Sequence, residues 1–552
     1  MDPASLVLAT LVLIKPICTT IHTALTNYSL YARDANSLSL RFSLQQTRLE
    51  SLQVVLTEDK LIPGVRGRLV DNLSPNTLHI LNDLVQELHY ILNEYVALKM
   101  HREVLSTSSG DQVSRALEEA GHSPGPASQY QLQSYASGIP NSLATTKMKL
   151  ISTTRRLQWS ISRRDTVEGV VTSFEEWTER TKALVETLLW SIPVNSPMEQ
   201  IRVLQRDEDA SNIGLLDGIK IRELLAASPA FAESHVNGLY SRAFEERYTV
   251  GGFNVGTIHQ KEGLFLIEYK HGGTPGEEGI NHGTRQQVIR LAALLHEAPS
   301  ADEGLGVLNC TNYIEDLTSN VLGIVYALPS AYTTSSLPPK TLSSLLLQTT
   351  VPKTSLDVRI RIACNIAYTV HRLHIYGWVH KSLRSDNILF FPLDPSNNDR
   401  GYDLSKPKIL GFDWARKEDE ISPEDPGLEI KHNIYRHPQR WGQPTSRFDK
   451  THDIYALGVI LLELGLGESV ARLDGGALMR NQAYHDPTVM NRKLLQHASL
   501  RIGFYGGTRL RDIVTGCLTG EWRGSSIVHQ LPDVVMCLMS IAMVLSEEEA
   551  QP

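Results

Sequence analysis

Apolar side chains recur every three or four positions through most of residues 1 to 195, the period of a helix with one buried face. Ala4 to Ile14 is an uncharged run that ends at Lys15 and Pro16. Ala35 to Leu56 places Leu38, Phe42, Leu49, Leu52 and Leu56 near helical spacing. Ser74 and Pro75 read as an N-cap and a first-turn proline. The stripe they open runs through Leu78, Leu81, Leu84, Val85, Leu88, Ile91 and Leu92 to about Met100. Residues 105 to 141 break the pattern with Ser, Gly, Pro and Gln, and a flexible surface insertion is expected there. Helical spacing resumes from Ser142 to Ile161. It resumes again from Asp165, with Val167, Val170, Val171, Phe174, Trp177, Leu184, Val185 and Leu188 on one face. Alternating strand-like runs are scarce here, so the pattern predicts an all-α antiparallel bundle with one long loop.

Ser196-Pro197-Met198-Glu199 combines capping-box partners with proline at the first helical position. A short helix should follow, and residues 196 to 244 read as a brace or linker. From about residue 245 the period changes. Val255 to His259, the turn Lys261-Glu262-Gly263, and Leu264 to Tyr269 read as strand, turn, strand. A helix carrying Val288, Leu291, Leu294 and Leu295 follows, then strands over Gly306 to Tyr313 and Val321 to Leu328. From about Leu342 onward the pattern is mostly helical.

Composition sets outer limits. The chain has 552 residues, 41% hydrophobic and 21% charged, ample for two sizeable cores without a metal or disulfide staple. A net charge of -8 offers no global basic field, so nucleic acid is not an expected partner. The five cysteines, Cys18, Cys310, Cys364, Cys517 and Cys537, have no paired spacing, which fits a reducing compartment. Ala4 to Ile14 is too short to span a bilayer and follows Asp2 instead of a basic region, so neither a spanning helix nor a secretory signal is expected.

Four motifs in the second half stand in a telling order. His380-Lys381-Ser382-Leu383-Arg384-Ser385-Asp386-Asn387 follows a helix expected over Ser355 to Tyr376. Lys408 to Asp413 comes next, then Tyr435-Arg436-His437-Pro438-Gln439, then Asp453 to Gly458 leading into Val459 to Leu464. Together they resemble the catalytic loop, the metal-binding motif, the end of the activation segment and the central buried helix of protein kinases. The resemblance covers about 300 residues. It implies an α+β bilobal protein-kinase-like domain over about 245–550, its small lobe at about 245–330 and its large lobe at about 331–550. The fold class expected is thus multidomain, a helical bundle over 1–195 plus that domain. The resemblance makes His380 and Asp453 structural and gives Lys270 and Asn387 the roles of a weak nucleotide site.

The chain departs from the kinase pattern where chemistry is done. Ser382 holds the position of the catalytic aspartate, and a serine cannot serve as that base near neutral pH. Loss of a general base costs about 10²- to 10⁴-fold in rate. Gly411 holds the position of the magnesium-binding aspartate. Asp386 and Asp413 are the carboxylates that could act in rearranged chemistry. Gly251-Gly252-Phe253-Asn254-Val255-Gly256 is a loose stand-in for the phosphate-covering glycine loop, and Gln286 and Gln287 stand where a glutamate partner of the strand lysine is expected. The chain therefore resembles a pseudokinase, with no cofactor required and ATP binding weak if it occurs.

The opening MDPASLVLATLVLIKPICTTIHTAL, with the helices after it, resembles the HeLo and HeLo-like domains of fungal incompatibility and programmed-death proteins. A bundle joined by a brace to a pseudokinase is similar in layout to mixed-lineage kinase-domain-like necroptosis executioners. That layout implies a cytoplasmic protein recruited to anionic membrane lipids and self-associating when active. Leu6, Leu8, Leu11, Val12 and Ile14 are the apolar residues expected to meet the membrane. Lys147, Lys149, Arg155, Arg156, Arg163 and Arg164 are the basic cluster, each worth about 1 kcal/mol near an anionic leaflet. An active atypical kinase and an adaptor that oligomerises through the bundle are the alternatives. The sequence specifies no upstream protein.

Overall fold

The computed structural model describes residues 3–29, 33–58, 68–72, 78–79, 81–93, 164–190, 206–214, 233–234, 236–240, 243–271, 279–297, 306–329, 337–347, 354–393, 401–417, 429–442 and 447–521, with positions 534, 535, 538 and 541. The chain divides into two compact units, Met1–Val185 with Arg202–Gly214, and Glu186–Ile201 with Leu215–Pro552. The expected insertion at 105–141, the helix over 142–161 and the capped start at Ser196 lie outside the described residues.

The first unit is helical. Helix α1 spans Pro3–Ser29, α2 spans Arg33–Thr57 and α3 spans Arg164–Trp190, with a further helical stretch over 81–93. Each helix carries a central row of buried residues spaced by three and four in alternation. In α1 these are Val7, Leu11, Ile14, Cys18, Ile21 and Leu25, and in α2 Leu38, Phe42, Gln45, Leu49, Leu52 and Leu56. The third stretch adds Leu81, Val85, Leu88 and Leu92, and α3 adds Val167, Val171, Phe174, Thr178, Thr181 and Val185. Such a seam lets helices interlock at small crossing angles, the packing of bundles. Phe42 and Phe174 meet at 5.3 Å between ring centres. The polar residues in the seam are paired: Thr178 Oγ1 donates to Gln45 Oε1 at 2.6 Å, and Trp177 Nε1 donates to the Leu84 carbonyl. At the rim, the Arg41 guanidinium grips Glu175 with two bonds, 2.8 and 2.5 Å.

The short helix Glu208–Asn212 also belongs to this unit, where Asn212 Nδ2 donates to Ser51 Oγ at 3.1 Å. Part of the stretch expected to be a brace is therefore packed on α2. Its other end also joins a fold. Strand β1, Asn237–Tyr240, pairs in parallel with β5, Cys310–Asp316. Asn and Gly are poor strand formers, so four residues of Asn-Gly-Leu-Tyr give no local signal; only the pairing partner makes them a strand.

The second unit begins with a six-stranded sheet. Its strands are β1, β2 (Phe244–Val250), β3 (Phe253–Ile258), β4 (Phe265–His271), β5 and β6 (Val321–Ala327), in the spatial order β1-β5-β6-β4-β3-β2. One face carries the cluster Ile258, Phe265, Ile267, Ile314 and Val325. The sheet also packs against α4, His282–Glu297, whose Val288, Leu291, Ala292 and Leu295 are buried. The remainder is mainly helical. Helix α5, Leu356–Ile375, starts beside Ser355 and stops at Tyr376, as the spacing predicts. Helix α6, Lys450–Leu466, is buried at every residue from His452 to Leu466 and is capped by Asp449 and His452 in a reciprocal pair. Among the described residues no single helix is long and apolar enough to cross a membrane.

Two short ladders place the candidate site. Strands β8 (Trp378–Val379) and β9 (Ile388–Phe390) flank the loop 380–387. Strands β10 (Lys408–Ile409) and β11 (Arg416–Lys417) flank residues 410–415. A further two-residue strand, β7 (Lys340–Thr341), pairs with β9. Since β9 pairs with β10 and β8 with β11, the two loops are held side by side at both ends.

The bundle seam gives a direct test. Phe174→Ala should lower the stability of the helical unit by about 3–5 kcal/mol, measured by urea denaturation of the full chain followed by far-UV circular dichroism.

Candidate functional site

The loop 380–387 hangs on one buried carboxylate. Asp453 on α6 accepts from the His380 backbone N–H at 2.7 Å, the Lys381 N–H at 2.9 Å and His374 Nε2 at 3.0 Å. Burial alone would raise this carboxyl; the bonds from His374 and from the His380 backbone N–H hold it below its ordinary value. Lys381 takes a left-handed conformation, φ 65°, which costs about 1 kcal/mol for a residue with a side chain. His380 is buried, and burial pushes its imidazole down to about 4, so it is neutral. Its Nε2 lies 3.0 Å from the Leu410 carbonyl and its Nδ1 accepts from the Ser382 N–H at 3.3 Å, which fixes the Nε2–H tautomer. The ring also meets Phe412 at 4.7 Å. The two loops are thereby tied together.

Ser382 is buried and already engaged. Its Oγ receives Arg384 Nη1 at 2.6 Å and Asn387 Nδ2 at 3.3 Å, and its carbonyl receives Asn387 Nδ2 at 2.7 Å. Asn387 Oδ1 is buried with no partner among the described residues. Gly411 sits against this side chain at φ +87°, and a Cβ there would fall 2.0 Å from Asn387 Nδ2. No side chain fits at 411, least of all an aspartate. Asp413 lies two residues further on, half-buried; burial raises its carboxyl to about 6 against the pull of Arg384 and Lys270. Asp386 is half-buried in the turn Ser385–Asn387, and its charge acts on His432 and Tyr435.

A residue not anticipated from sequence faces these loops. Glu268 on β4 is fully enclosed. Its Oε1 accepts the N–H groups of Gly411 and of Phe412, the latter at 3.0 Å, and its Oε2 accepts Tyr326 Oη at 2.5 Å. Burial raises the carboxyl to about 7 despite these bonds. Lys270 projects from the same face of β4 two residues on and is only half-buried, so its charge reaches Asp413 while Glu268 holds the innermost position. The turn Gly251-Gly252 closes from the other side. A Cβ on Gly251 would lie 3.3 Å from the Asp386 carbonyl and 2.7 Å from Thr341 Cγ2.

Beside these loops is a cavity of about 190 Å³ whose walls include Lys381, Ser382, Arg384, Asp413, Arg436 and Arg440. Lys270, Asp386 and Asn387 do not line it. The structure thus brings Ser382 and Asp413 together and leaves the other expected chemical residues outside. Among the described residues, no group of three His, Cys, Asp or Glu could hold a metal ion.

In the helical unit the expected membrane residues divide. Leu11 and Ile14 are buried in the seam, Leu8 is half-buried, and Val12 is 60% exposed beside Leu13 at 57%. The side chain of Leu6 lies outside the described residues, as do Lys147, Lys149, Arg155, Arg156 and Arg163; Arg164 begins α3, with its side chain undescribed.

Compared with known proteins, the chain matches no family model and no curated protein. Glu268 could have been noticed as an acid in the apolar run Phe265-Leu266-Ile267, since a charge there needs buried partners. The gathering of Arg384 with Arg436 and Arg440 had no such signal, because about fifty residues separate the first from the other two.

Glu268 makes stability depend on pH. Its folded value is above the unfolded one, so its contribution is fully present below about pH 4.5 and is lost as pH rises through about 7. Glu268→Gln should flatten that part of the melting-temperature profile between pH 5 and 8. Gly411→Ala should cost about 1–3 kcal/mol through backbone strain and overlap with Asn387, read as a fall in the denaturation midpoint.

Proposed function

We propose that the chain is a membrane-acting effector: the helical unit executes, and the second unit, a pseudokinase in design, regulates it. The observation that carries this reading is the closed cleft, which has no carboxylate at 382 or 411. Ser382 and Gly411 occupy the two positions where a kinase needs aspartates, Glu268 bonds across to Gly411 and Phe412, and Gly251 lies against Asp386. These residues do not fit a magnesium nucleotide. An enclosed carboxylate repels a phosphate chain, and Gly411 offers no ligand and no room for one. No cofactor is required in this reading.

The executing role rests on α1. A helix with Val7, Leu11 and Ile14 inward and Val12 and Leu13 outward presents apolar side chains to water without dismantling the seam. Each large aliphatic side chain gains roughly 1.5–3 kcal/mol on full burial, which favours docking onto a lipid surface or a second copy. The partners proposed are anionic lipids and, when active, further copies of the chain, with the protein cytoplasmic until recruited.

The test compares three proteins on phosphatidylserine-containing vesicles: the full chain, residues 1–214, and residues 1–214 with Val12→Glu and Leu13→Glu. Residues 1–214 should release trapped dye, the full chain should release less, and the charged pair should abolish release while keeping its helical circular dichroism, because exposed sites tolerate substitution within about 0.5 kcal/mol. Leu11→Glu is a poorer probe, since it puts a charge in the seam. If residues 1–214 are inert, the executioner reading fails and the adaptor reading replaces it. A thermal shift with Mg²⁺ and ATP that Lys270→Ala or Asn387→Ala removes would favour the active-kinase reading.

A further inference from the structure

The cavity beside the loop 380–387 has a charge balance that the closed cleft does not explain. Lys381, Arg384, Arg436 and Arg440 contribute four cations to its walls, against the carboxylates of Asp413 and Asp453. Asp453 is committed to three donors and faces the loop backbone. Asp413 is shared between Arg384 and Lys270. Three histidines, His432, His437 and His452, also line the wall; burial pushes His437 down to about 4, so it is neutral, and burial lowers His432 too. The Arg384 guanidinium gives one bond to Ser382 Oγ, and its Nε is buried with no partner among the described residues. A buried guanidinium donor with no protein acceptor needs a partner, and an anion is one that suits it.

We propose that this cavity binds a phosphoryl dianion, free or carried on a phosphorylated side chain. Guanidinium groups suit it because their forked donors match phosphate oxygens in pairs. The volume, about 190 Å³, falls below the roughly 300 Å³ at which pockets begin to enclose drug-sized ligands. It suits a phosphoryl group with a short stem and excludes a nucleotide. Trp414 on the wall offers an apolar face to such a stem. The site stands on the cavity alone, so inert vesicle experiments would leave it untouched.

The test is calorimetric titration of the full chain with inorganic phosphate, O-phosphoserine and O-phosphotyrosine. At least one should bind, and Arg384→Gln and Arg436→Gln should each weaken it by about tenfold or more, as expected for a lost hydrogen bond to a charged group. Tighter binding of an ester assigns the site to phosphorylated side chains; binding of inorganic phosphate alone assigns it to the free ion. Arg436 is half-buried at the rim, so Arg436→Gln serves if Arg384→Gln does not fold. No binding at millimolar concentration, or binding undiminished in both variants, overturns the proposal.

Discussion

The Asp453 carboxylate accepts three hydrogen bonds at a place almost without water, and the candidate site is arranged around it. It draws the backbone of His380 and Lys381 onto α6 and holds His374 at the end of α5. Lys381 can keep its left-handed conformation because its N–H is one of those bonds. Removing one partner of such a buried arrangement leaves an uncompensated polar group, which is costly. The loop is accordingly rigid at its start, and His380 passes that rigidity to Leu410 and Phe412.

Glu268 is a second buried acid with a different effect. Asp453 is held ionised by the donors around it, whereas Glu268 has its proton affinity raised by burial in spite of three donors. It joins the sheet to the loop 410–415, so the strand-rich and helical parts of this unit meet through a carboxylate and two backbone N–H groups. Tyr326, opposite Leu266 in the β4–β6 ladder, reaches diagonally to complete the arrangement.

The helical unit works by another rule. Its core is a repeated seam of large aliphatic and aromatic residues, and the few polar residues inside it, Gln45, Thr178 and Trp177, bond to one another's helices. These bonds tie α2 to α3 and α3 to the stretch over 81–93, and so fix their register. What is left over points outward: Val12 and Leu13 on α1, Leu40 and Leu44 on α2, and Tyr90.

Periodicity alone determined the helices over 33–57 and 164–190, the strand pairs on either side of α4, and the long helix over 356–375, because each buries one regular face, whereas α1 runs on through Pro16 to Ser29, beyond the uncharged run that ends at Ile14. Residue identity alone leaves positions 382 and 411, a serine and a glycine, without a carboxylate, which no folding can alter. Other features depended on residues far apart in the chain. Strand β1 exists because β5 pairs with it, and Glu208–Asn212 is placed by α2. Which face of α1 is buried was settled by packing: the uncharged run Ala4 to Ile14 gives no polar side to mark the exterior, so Leu11 and Val12 look alike until α2 lies against one of them. Arg384 shares a cavity with Arg436 and Arg440 only because the loop 380–387 and the segment 435–440 are both anchored on α6, the first through Asp453 and the second through the bond from Tyr435 Oη to Glu463. Charge that is dispersed in sequence becomes a site when the chain folds, and nothing in its spacing announces it.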